Sequence, residues 1–360
     1  MRAALLMALA AALVAQGRDE AGLRRAWRLK LAGIDDVVEL RYSPTGGWIA
    51  AVTSRITAEG DRHEVLLVPA SGEAPAIKRI AAGSEAGAGV HWSPDGEYLA
   101  IESKELRTRF VEIASGTRCE LPRATVFGGF VGPRLAIAAD WEAPVDPASL
   151  PIDSSLVTLY NADCSVAQSW KVRGHVKDLE PSAASGIIAV SPEQGSVRLI
   201  SRDGPAEVAS VPERAGPMLR FGEKGTALCK ADAGGRGSLV CYDIKSGERF
   251  ANPTVSGGAP FDVSLESSIV LALHGTSFYD SSAGTDRPGF LAWVVWDYRT
   301  GRELGRLRYA GQRHGYVVSP AAISPDGKRI VVAARGELRM YEVGRPPRIT
   351  PTRSLPEACE

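Results

Sequence analysis

The stretch Trp92-Ser93-Pro94-Asp95-Gly96-Glu97-Tyr98-Leu99-Ala100 decides how this 360-residue chain folds. Proline presets one backbone dihedral and glycine tolerates a positive φ, so Pro-Asp-Gly is strong turn chemistry. Apolar residues flank the turn on both sides, which indicates a strand, a tight turn and a second strand. Residues 42–50 and 323–331 carry the same pattern, as Tyr-Ser-Pro-Thr-Gly and Ile-Ser-Pro-Asp-Gly.

A second pattern follows each turn, namely an apolar strand, a small glycine turn and a polar strand. It begins with the apolar residues 65–68, 110–113, 239–243 and 294–297. The repeating unit is therefore four antiparallel strands, which is the blade of a β-propeller. Ser43 and Ser93 are 50 residues apart, and the 231 residues from Ser93 to Ser324 hold five units of about 46 residues. The sequence predicts an all-β, single seven-bladed β-propeller of four-stranded antiparallel blades, with six or eight blades as the alternatives.

The two ends of the chain fit a closed ring. The last unit has a third strand at residues 337–343 and then becomes rich in proline without a fourth strand. Residues 25–31 alternate in polarity before the first unit, as a half-buried strand does. We expect this N-terminal strand to complete the last blade, because a closed ring removes open strand edges. The propeller then spans residues 18–343, and residues 344–360 form an irregular C-terminal tail.

The turns resemble a known class of repeat. Trp-Ser-Pro-Asp-Gly at 92–96 and Ile-Ser-Pro-Asp-Gly at 323–327 are similar to the repeats of WD-like propellers in the TolB family and its bacterial relatives. The similarity covers nearly all of the chain after residue 17, with diverged middle repeats. The Gly-His and Trp-Asp pairing of eukaryotic WD repeats is reduced to Gly174-His175 and Trp296-Asp297. The resemblance implies the propeller fold and a tendency to bind partners, and it carries no activity.

The first 17 residues have the features of a signal peptide. Met1-Arg2 is a basic start, residues 3–14 are apolar, and Ala15-Gln16-Gly17 has small residues where signal peptidase cleaves. The apolar run is too short to span a bilayer, and the alternative is an N-terminal helix packed on the domain. No second hydrophobic segment of membrane length follows. The sequence therefore predicts a periplasmic or extracellular protein with no membrane span after signal removal.

Composition and motifs narrow the classes of function. The chain has 42 basic and 42 acidic side chains and a formal net charge of +0. Nucleic acid is not an expected partner, because proteins that bind it carry a basic excess. The patterns Gly-x-Ser-x-Gly and His-Glu-x-x-His, phosphate loops and calcium loops do not occur. We predict no catalytic residue, no metal site and no cofactor.

Five cysteines occur at wide spacings without a Cys-x-x-Cys motif. Cys229 and Cys241 fall on neighbouring strands of one hairpin, and they face each other if its turn is centred at residue 235. Cys119 and Cys164 flank third-to-fourth-strand turns of adjacent blades on one face. Both pairs are disulfide candidates in an exported protein, and thiols packed within strands are the alternative. Because the number is odd, at least one cysteine has no partner within the chain.

Function is expected on the face opposite the Ser-Pro-Asp-Gly turns, which we call the long-loop face. It receives the second-to-third-strand loops and the links between blades, and long loops on a rigid scaffold commonly carry binding residues. The long loops are residues 54–63, 140–155 and 274–289, and every histidine except His91 belongs to this face. The candidate ligand- or partner-binding residues are Asp140, Trp141, Glu142, His175, His274, Tyr279, Asp280, Asp286, Arg287 and His314.

Two functions fit these residues. The first is a non-catalytic secreted or periplasmic scaffold that binds a protein or a small ligand through the long-loop face. The alternative is an envelope enzyme, either hydrolase- or lactonase-like or a dehydrogenase subunit, with its site at the mouth of the central channel. Convergence of His175, His274 and His314 over one pocket would favour the enzyme.

Overall fold

The computed structural model describes residues 22–58, 60–81, 86–103, 107–122, 125–140, 154–193, 195–204, 207–214, 218–231, 239–250, 261–275, 291–309, 320–334 and 336–344. Within these ranges, 27 strands form seven antiparallel sheets. The helical segments are two short 3₁₀ turns, Ala74–Ala76 and Glu223–Gly225. No helix in the described part of the chain has the length and hydrophobicity that crossing a membrane requires.

The chain enters the ring through β1 (Leu23–Lys30) and then builds its blades in sequence order. Blade 1 contains β2 (Asp36–Tyr42), β3 (Trp48–Thr57), β4 (Gly60–Pro69) and β5 (Lys78–Ala81). Blade 2 contains β6 (Ala86–Trp92), β7 (Tyr98–Ser103), β8 (Thr108–Glu112) and β9 (Arg118–Glu120). Blade 3 contains β10 (Thr125–Gly132), β11 (Leu135–Asp140), β12 (Ser154–Asn161) and β13 (Val166–Arg173).

The second half of the ring continues the same order. Blade 4 contains β14 (Val176–Ser182), β15 (Ile187–Pro192), β16 (Ser196–Ser201) and β17 (Glu207–Arg214). Blade 5 contains β18 (Leu219–Gly222), β19 (Ala227–Ala231) and β20 (Leu239–Asp243), and the bridge Tyr242–Arg249 marks its outer edge. Blade 6 contains β21 (Phe261–Val263), β22 (Ile269–Gly275), β23 (Leu291–Asp297) and β24 (Arg302–Tyr309). Blade 7 contains β25 (Ala321–Ile323), β26 (Arg329–Ala334) and β27 (Glu337–Val343).

The N-terminal strand closes the ring, as predicted. β1 pairs antiparallel with β27, in a register that places Leu23 opposite Val343 and Lys30 opposite Glu337. It therefore supplies the fourth strand of blade 7. The prediction of a seven-bladed propeller is confirmed.

The core is divided among the junctions between blades. Seven clusters of buried apolar side chains occur, and each is drawn from two adjacent blades. Strand β3 shows how the sequence achieves this. Ile49 and Ala51 enter the cluster shared with blade 7, whereas Ala50 and Val52 enter the cluster shared with blade 2. Successive residues of a strand point to opposite faces of the sheet, so an uninterrupted apolar strand serves two junctions.

The Ser-Pro-Asp-Gly turns are held by their own serine. The Ser93 hydroxyl donates to Asp95 Oδ1 at 2.5 Å and accepts from the Tyr98 amide at 2.8 Å. Gly96 has a φ of +75°, which glycine adopts without strain. Ser324 makes the same two bonds to Asp326 and Arg329. The turn residues therefore connect first and second strands on the face opposite the long loops.

One of the long loops of the sequence analysis is mostly strand. β3 continues to Thr57 and β4 begins at Gly60, so residues 54–63 form the end of a hairpin rather than a loop. Ser54 faces His63 in the register of this hairpin, and His63 is buried. The sequence analysis assigned this segment to a loop because it is rich in polar residues. Polar residues at the end of a hairpin look the same in sequence as those of a loop.

Both disulfides expected from the sequence are present. Cys229 and Cys241 face each other across β19 and β20, with a Cα–Cα distance of 4.0 Å. Cys119 of β9 bonds to Cys164 in the turn between β12 and β13, with a Cα–Cα distance of 5.9 Å. Two disulfides indicate an oxidising, non-cytoplasmic compartment.

Candidate functional site

The first strand of each blade faces the axis of the ring. These strands are β2, β6, β10, β14, β18, β21 and β25, and each contacts the first strand of the next blade around the full circle. Because side chains alternate along a strand, every second residue points towards the axis. Leu40 and Tyr42 enter the cluster between blades 7 and 1, and the alternate residues Glu39 and Arg41 line the central channel.

The channel widens into an upper cavity at the long-loop face. This cavity has a volume of about 590 Å³. Lys177 at the start of β14 and Glu193 in the link from β15 to β16 border it. Glu39, Glu102 and Asp178 also line it. The volume falls in the range of small-molecule pockets, which is roughly 300–1,000 Å³.

A lower cavity opens at the opposite face. It has a volume of about 430 Å³ and is bordered by the turn prolines Pro44, Pro94 and Pro325. Its walls are largely apolar, and they include the aromatic side chains of Phe130 and Phe221. The side chains that line both cavities are Arg41, His91 and Arg220. These three therefore lie where the two cavities meet.

Charged groups in the channel form ion pairs, and two of these pairs join different blades. Arg41 donates from Nε to Glu39 Oε1 at 2.9 Å and from Nη1 to Asp262 Oδ1 of blade 6 at 3.4 Å. Arg220 of blade 5 donates to Glu180 Oε2 of blade 4 at 3.2 Å. A carboxylate and a guanidinium in a partly dehydrated channel attract each other more strongly than they do in water.

His91 forms the third pair. Its Nε2 lies 2.7 Å from Glu102 Oε1, on the neighbouring strand of blade 2. The imidazole ring also contacts Phe127 edge-on, with 5.0 Å between ring centroids. A carboxylate bound to one ring nitrogen fixes the orientation of the imidazole and leaves Nδ1 as the second polar atom of the ring.

Several channel carboxylates also accept backbone amides from the next blade. Glu39 accepts from Val90 at 3.2 Å, and Asp178 accepts from Leu219 at 2.8 Å. Asp262 accepts from the Ile323 amide at 3.0 Å, and Glu180 accepts from Phe221 at 3.4 Å. In every case the donor belongs to the first strand of the following blade. The carboxylates therefore tie adjacent first strands together while they give the channel its charge.

The channel shifts the acidity of its own residues. Burial raises the pKa of Asp178, and Arg220 opposes that rise. Burial likewise raises the pKa of Glu180 to about 6, again against the attraction of Arg220. Burial alone would lower the pKa of Arg41, but Glu39 and Asp262 more than offset it, and the pKa lies above its ordinary value. Glu180 therefore changes charge near pH 6, and Arg41 remains a cation.

Among the residues predicted from sequence, His175 contacts Glu193, which borders the upper cavity. Its Nδ1 is 3.2 Å from Glu193 Oε2, and Lys177 Nζ lies 3.3 Å from the other oxygen of that carboxylate. Asp140 is the last residue of β11 and is buried. His274 lies in β22, and its side chain is outside the described part. The remaining candidates also lie outside the described residues, namely Trp141, Glu142, Tyr279, Asp280, Asp286, Arg287 and His314.

The channel residues were missed by the sequence analysis, although a positional signal exists. Four of them stand two residues before the serine that starts a turn: Arg41 before Ser43, His91 before Ser93, Glu180 before Ser182 and Asp262 before Ser264. An ionisable residue repeated at one position of a blade's first strand points to the channel, because that position faces the axis in each blade. No group of three or more His, Cys, Asp and Glu side chains in the described ranges is arranged to hold a metal ion.

No family model matches the sequence, and no curated protein is similar enough to count as a relative. The propeller shape alone does not identify a family, because one fold carries many functions.

Proposed function

We propose that this chain is a non-catalytic binding propeller of the periplasm or the extracellular space. A protein partner docks on the long-loop face and inserts a cationic side chain into the upper cavity. Propellers commonly serve as protein-binding scaffolds, and the WD-like and TolB-like turns agree with that use. The observation that carries the proposal is the surplus of carboxylates around the channel.

The surplus is found by counting the charges of the channel wall. Seven carboxylates line the two cavities, against the four cationic side chains of Arg41, Lys177, Arg220 and Lys224 and the imidazole of His91. The carboxylates are Glu39, Glu102, Asp178, Glu180, Glu193, Asp262 and Glu266. A cleft whose lining carries a surplus of one sign of charge between low-dielectric walls concentrates its field and attracts the opposite charge. A lysine or arginine side chain suits such a channel, because its apolar stem can follow the wall while its charged end meets a carboxylate.

Asp178 is the carboxylate best placed to meet the guest. It lines the upper cavity, and its Oδ2 accepts the Leu219 amide. Burial raises its pKa despite the opposing attraction of Arg220. A cation that approaches Asp178 stabilises its charged form and lowers that pKa again. Binding should therefore weaken when Asp178 cannot ionise.

The test is isothermal titration calorimetry with a hexa-arginine peptide, and a hexa-glutamate peptide serves as the control. Asp178→Asn removes the charge but keeps an oxygen for the Leu219 amide, so the ring stays intact. Asp203→Asn is the matched control, because the Asp203 side chain is 85% exposed in the turn between β16 and β17.

We expect hexa-arginine to bind the native protein and hexa-glutamate not to bind. Asp178→Asn should weaken hexa-arginine binding about tenfold, which corresponds to about 1.4 kcal/mol, and Asp203→Asn should leave the affinity within about twofold. Equal losses in both variants would show that the peptide responds to overall charge, and the proposed site would be wrong.

The enzyme alternative has one observation in its favour, which is the His91–Glu102 pair in the channel. A carboxylate-oriented imidazole is suited to general base catalysis. An activity screen with p-nitrophenyl esters tests it, with His91→Gln as the variant. Hydrolysis above the buffer rate that disappears in His91→Gln would favour the enzyme, whereas equal rates in both proteins would dismiss a role of His91 in ester hydrolysis.

A further inference from the structure

The two disulfides differ in what they connect. Cys229 and Cys241 face each other within blade 5, and both are 0% exposed. Cys119 and Cys164 are 45 residues apart in sequence, and their bond joins the outer strand of blade 2 to a turn of blade 3. Both of these cysteines are half-buried. One bond is therefore enclosed within a blade, and the other links two blades at the rim of the ring.

We propose that Cys119–Cys164 is a site of thiol–disulfide exchange with an external dithiol, and that Cys229–Cys241 stays oxidised under the same conditions. Exchange requires a thiolate to reach one sulfur of the bond. Cys164 lies in a surface turn whose neighbours Asn161 and Asp163 are exposed. A thiolate can approach that turn from solvent, whereas Cys229 and Cys241 are covered by the core of blades 5 and 6.

The positions of the two sulfurs set the direction of the exchange. Cys119 lies within strand β9, where Phe110 of β8 faces it, and its Sγ lies 3.3 Å from the Ala162 carbonyl oxygen. Arg118 and Glu120, its neighbours along β9, point to the opposite face of the strand. Cys164 instead lies in the turn between β12 and β13, where a thiolate from solvent reaches its sulfur first.

The exchange is therefore written with attack on Cys164. A thiolate of the dithiol forms a bond to Cys164 Sγ, the Sγ–Sγ bond breaks, and Cys119 leaves as a thiolate. The second thiol of the dithiol, after losing its proton, then attacks the mixed disulfide and releases Cys164. Two electrons pass from the dithiol, which ends as its own disulfide, to the two cysteines of the protein, which end as thiols.

Opening the bond would loosen the junction between blades 2 and 3. Cys119 and Cys164 pack against a buried aromatic cluster at that junction, which includes Phe110, Phe127 and Tyr160. The outer strand β9 has three residues and pairs only with β8 among the described strands. The disulfide is thus a main tie between the rims of these two blades, and the cluster beneath it should become more accessible in the reduced protein.

The test uses the full chain with Cys359→Ser, so that the four paired cysteines are the only ones present. The protein is treated with dithiothreitol under native conditions, and free thiols are alkylated and identified by peptide mass spectrometry over time. We expect Cys119 and Cys164 to be alkylated at least tenfold faster than Cys229 and Cys241. Equal rates, or faster labelling of Cys229 and Cys241, would overturn the proposal.

A second experiment tests the direction with glutathione, a monothiol that leaves its mixed disulfide in place. We expect glutathione on Cys164 and a free thiol at Cys119. Glutathione on Cys119 would overturn the stated direction. The rate of amide hydrogen exchange in the reduced protein should rise in β8, β9 and β12 and stay unchanged in β19 and β20. Unchanged rates in blades 2 and 3 would show that the disulfide does not stabilise their junction.

Discussion

Replacing Glu180 by glutamine should change how the stability of the protein depends on pH. The Glu180 side chain is 15% exposed, and its carboxylate contacts Arg220 and the Phe221 amide. Burial raises its pKa from 4.5 to about 6, so the folded state holds this proton more tightly than the unfolded state. The group therefore stabilises the fold fully below pH 4.5, and that contribution is lost as pH rises through about 6.

The size of the effect follows from the shift. One pKa unit corresponds to about 1.4 kcal/mol, so the wild-type protein should lose about 2 kcal/mol relative to Glu180→Gln between about pH 4 and pH 7. Glutamine has a similar shape and retains an oxygen for the Phe221 amide, but it cannot ionise. The measurement is urea unfolding of both proteins across this pH range, from which the difference in unfolding free energy is plotted against pH.

The matched control is Glu248→Gln, because Glu248 is exposed in the last turn of blade 5. We expect this variant to follow the wild type within about 0.5 kcal/mol at each pH. If the difference between wild type and Glu180→Gln is flat, or if the wild type gains stability as pH rises, the assignment of Glu180 as a carboxylate whose burial outweighs its pairing with Arg220 is refuted.

Three further predictions concern the ring and the channel. Leu29→Ala in β1 should lower the free energy of unfolding by about 2–5 kcal/mol, because Leu29 is buried between blades 7 and 1. Val208→Ala in β17 is the control, and it should lower it by less than about 0.5 kcal/mol because that side chain is 55% exposed. Equal unfolding midpoints of the two variants would contradict closure of the ring by β1. Asp262→Ala should lower the free energy of unfolding by about 1–3 kcal/mol, because it leaves the Ile323 amide without its hydrogen-bond acceptor. Asp262→Asn should lower it by less. The reverse order in thermal unfolding would contradict a stabilising hydrogen bond between blades 6 and 7. The affinity for hexa-arginine, measured by calorimetry, should fall as pH drops below about 6, where Glu180 takes up its proton. An affinity that stays constant across this pH range would show that binding does not depend on the charge of the channel.

Local sequence was sufficient for the ring itself. The turns at Ser43, Ser93 and Ser324 predict strand pairs because proline, serine and glycine determine the backbone within a few residues. The predicted third strand of the last unit, 337–343, agrees with β27 as observed, and the predicted N-terminal strand at 25–31 overlaps β1. The disulfide at Cys229 and Cys241 also followed from local reasoning, since the two residues belong to one hairpin.

The channel could not be derived in the same way, because its contacts join residues that are far apart in sequence. Arg41 meets Asp262, which is 221 residues away, and Glu39 meets the Val90 amide, which is 51 residues away. Each residue alone is an ordinary charged side chain next to a turn. Only the closure of seven blades brings these side chains to one axis.

The crystal structure of the protein with bound hexa-arginine tests the central claim most directly. The account predicts one guanidinium group inside the upper cavity, about 3 Å from the Asp178 carboxylate, with the rest of the peptide on the long-loop face. A peptide bound at the turn face or on the outer strands, with the upper cavity unoccupied, would contradict it.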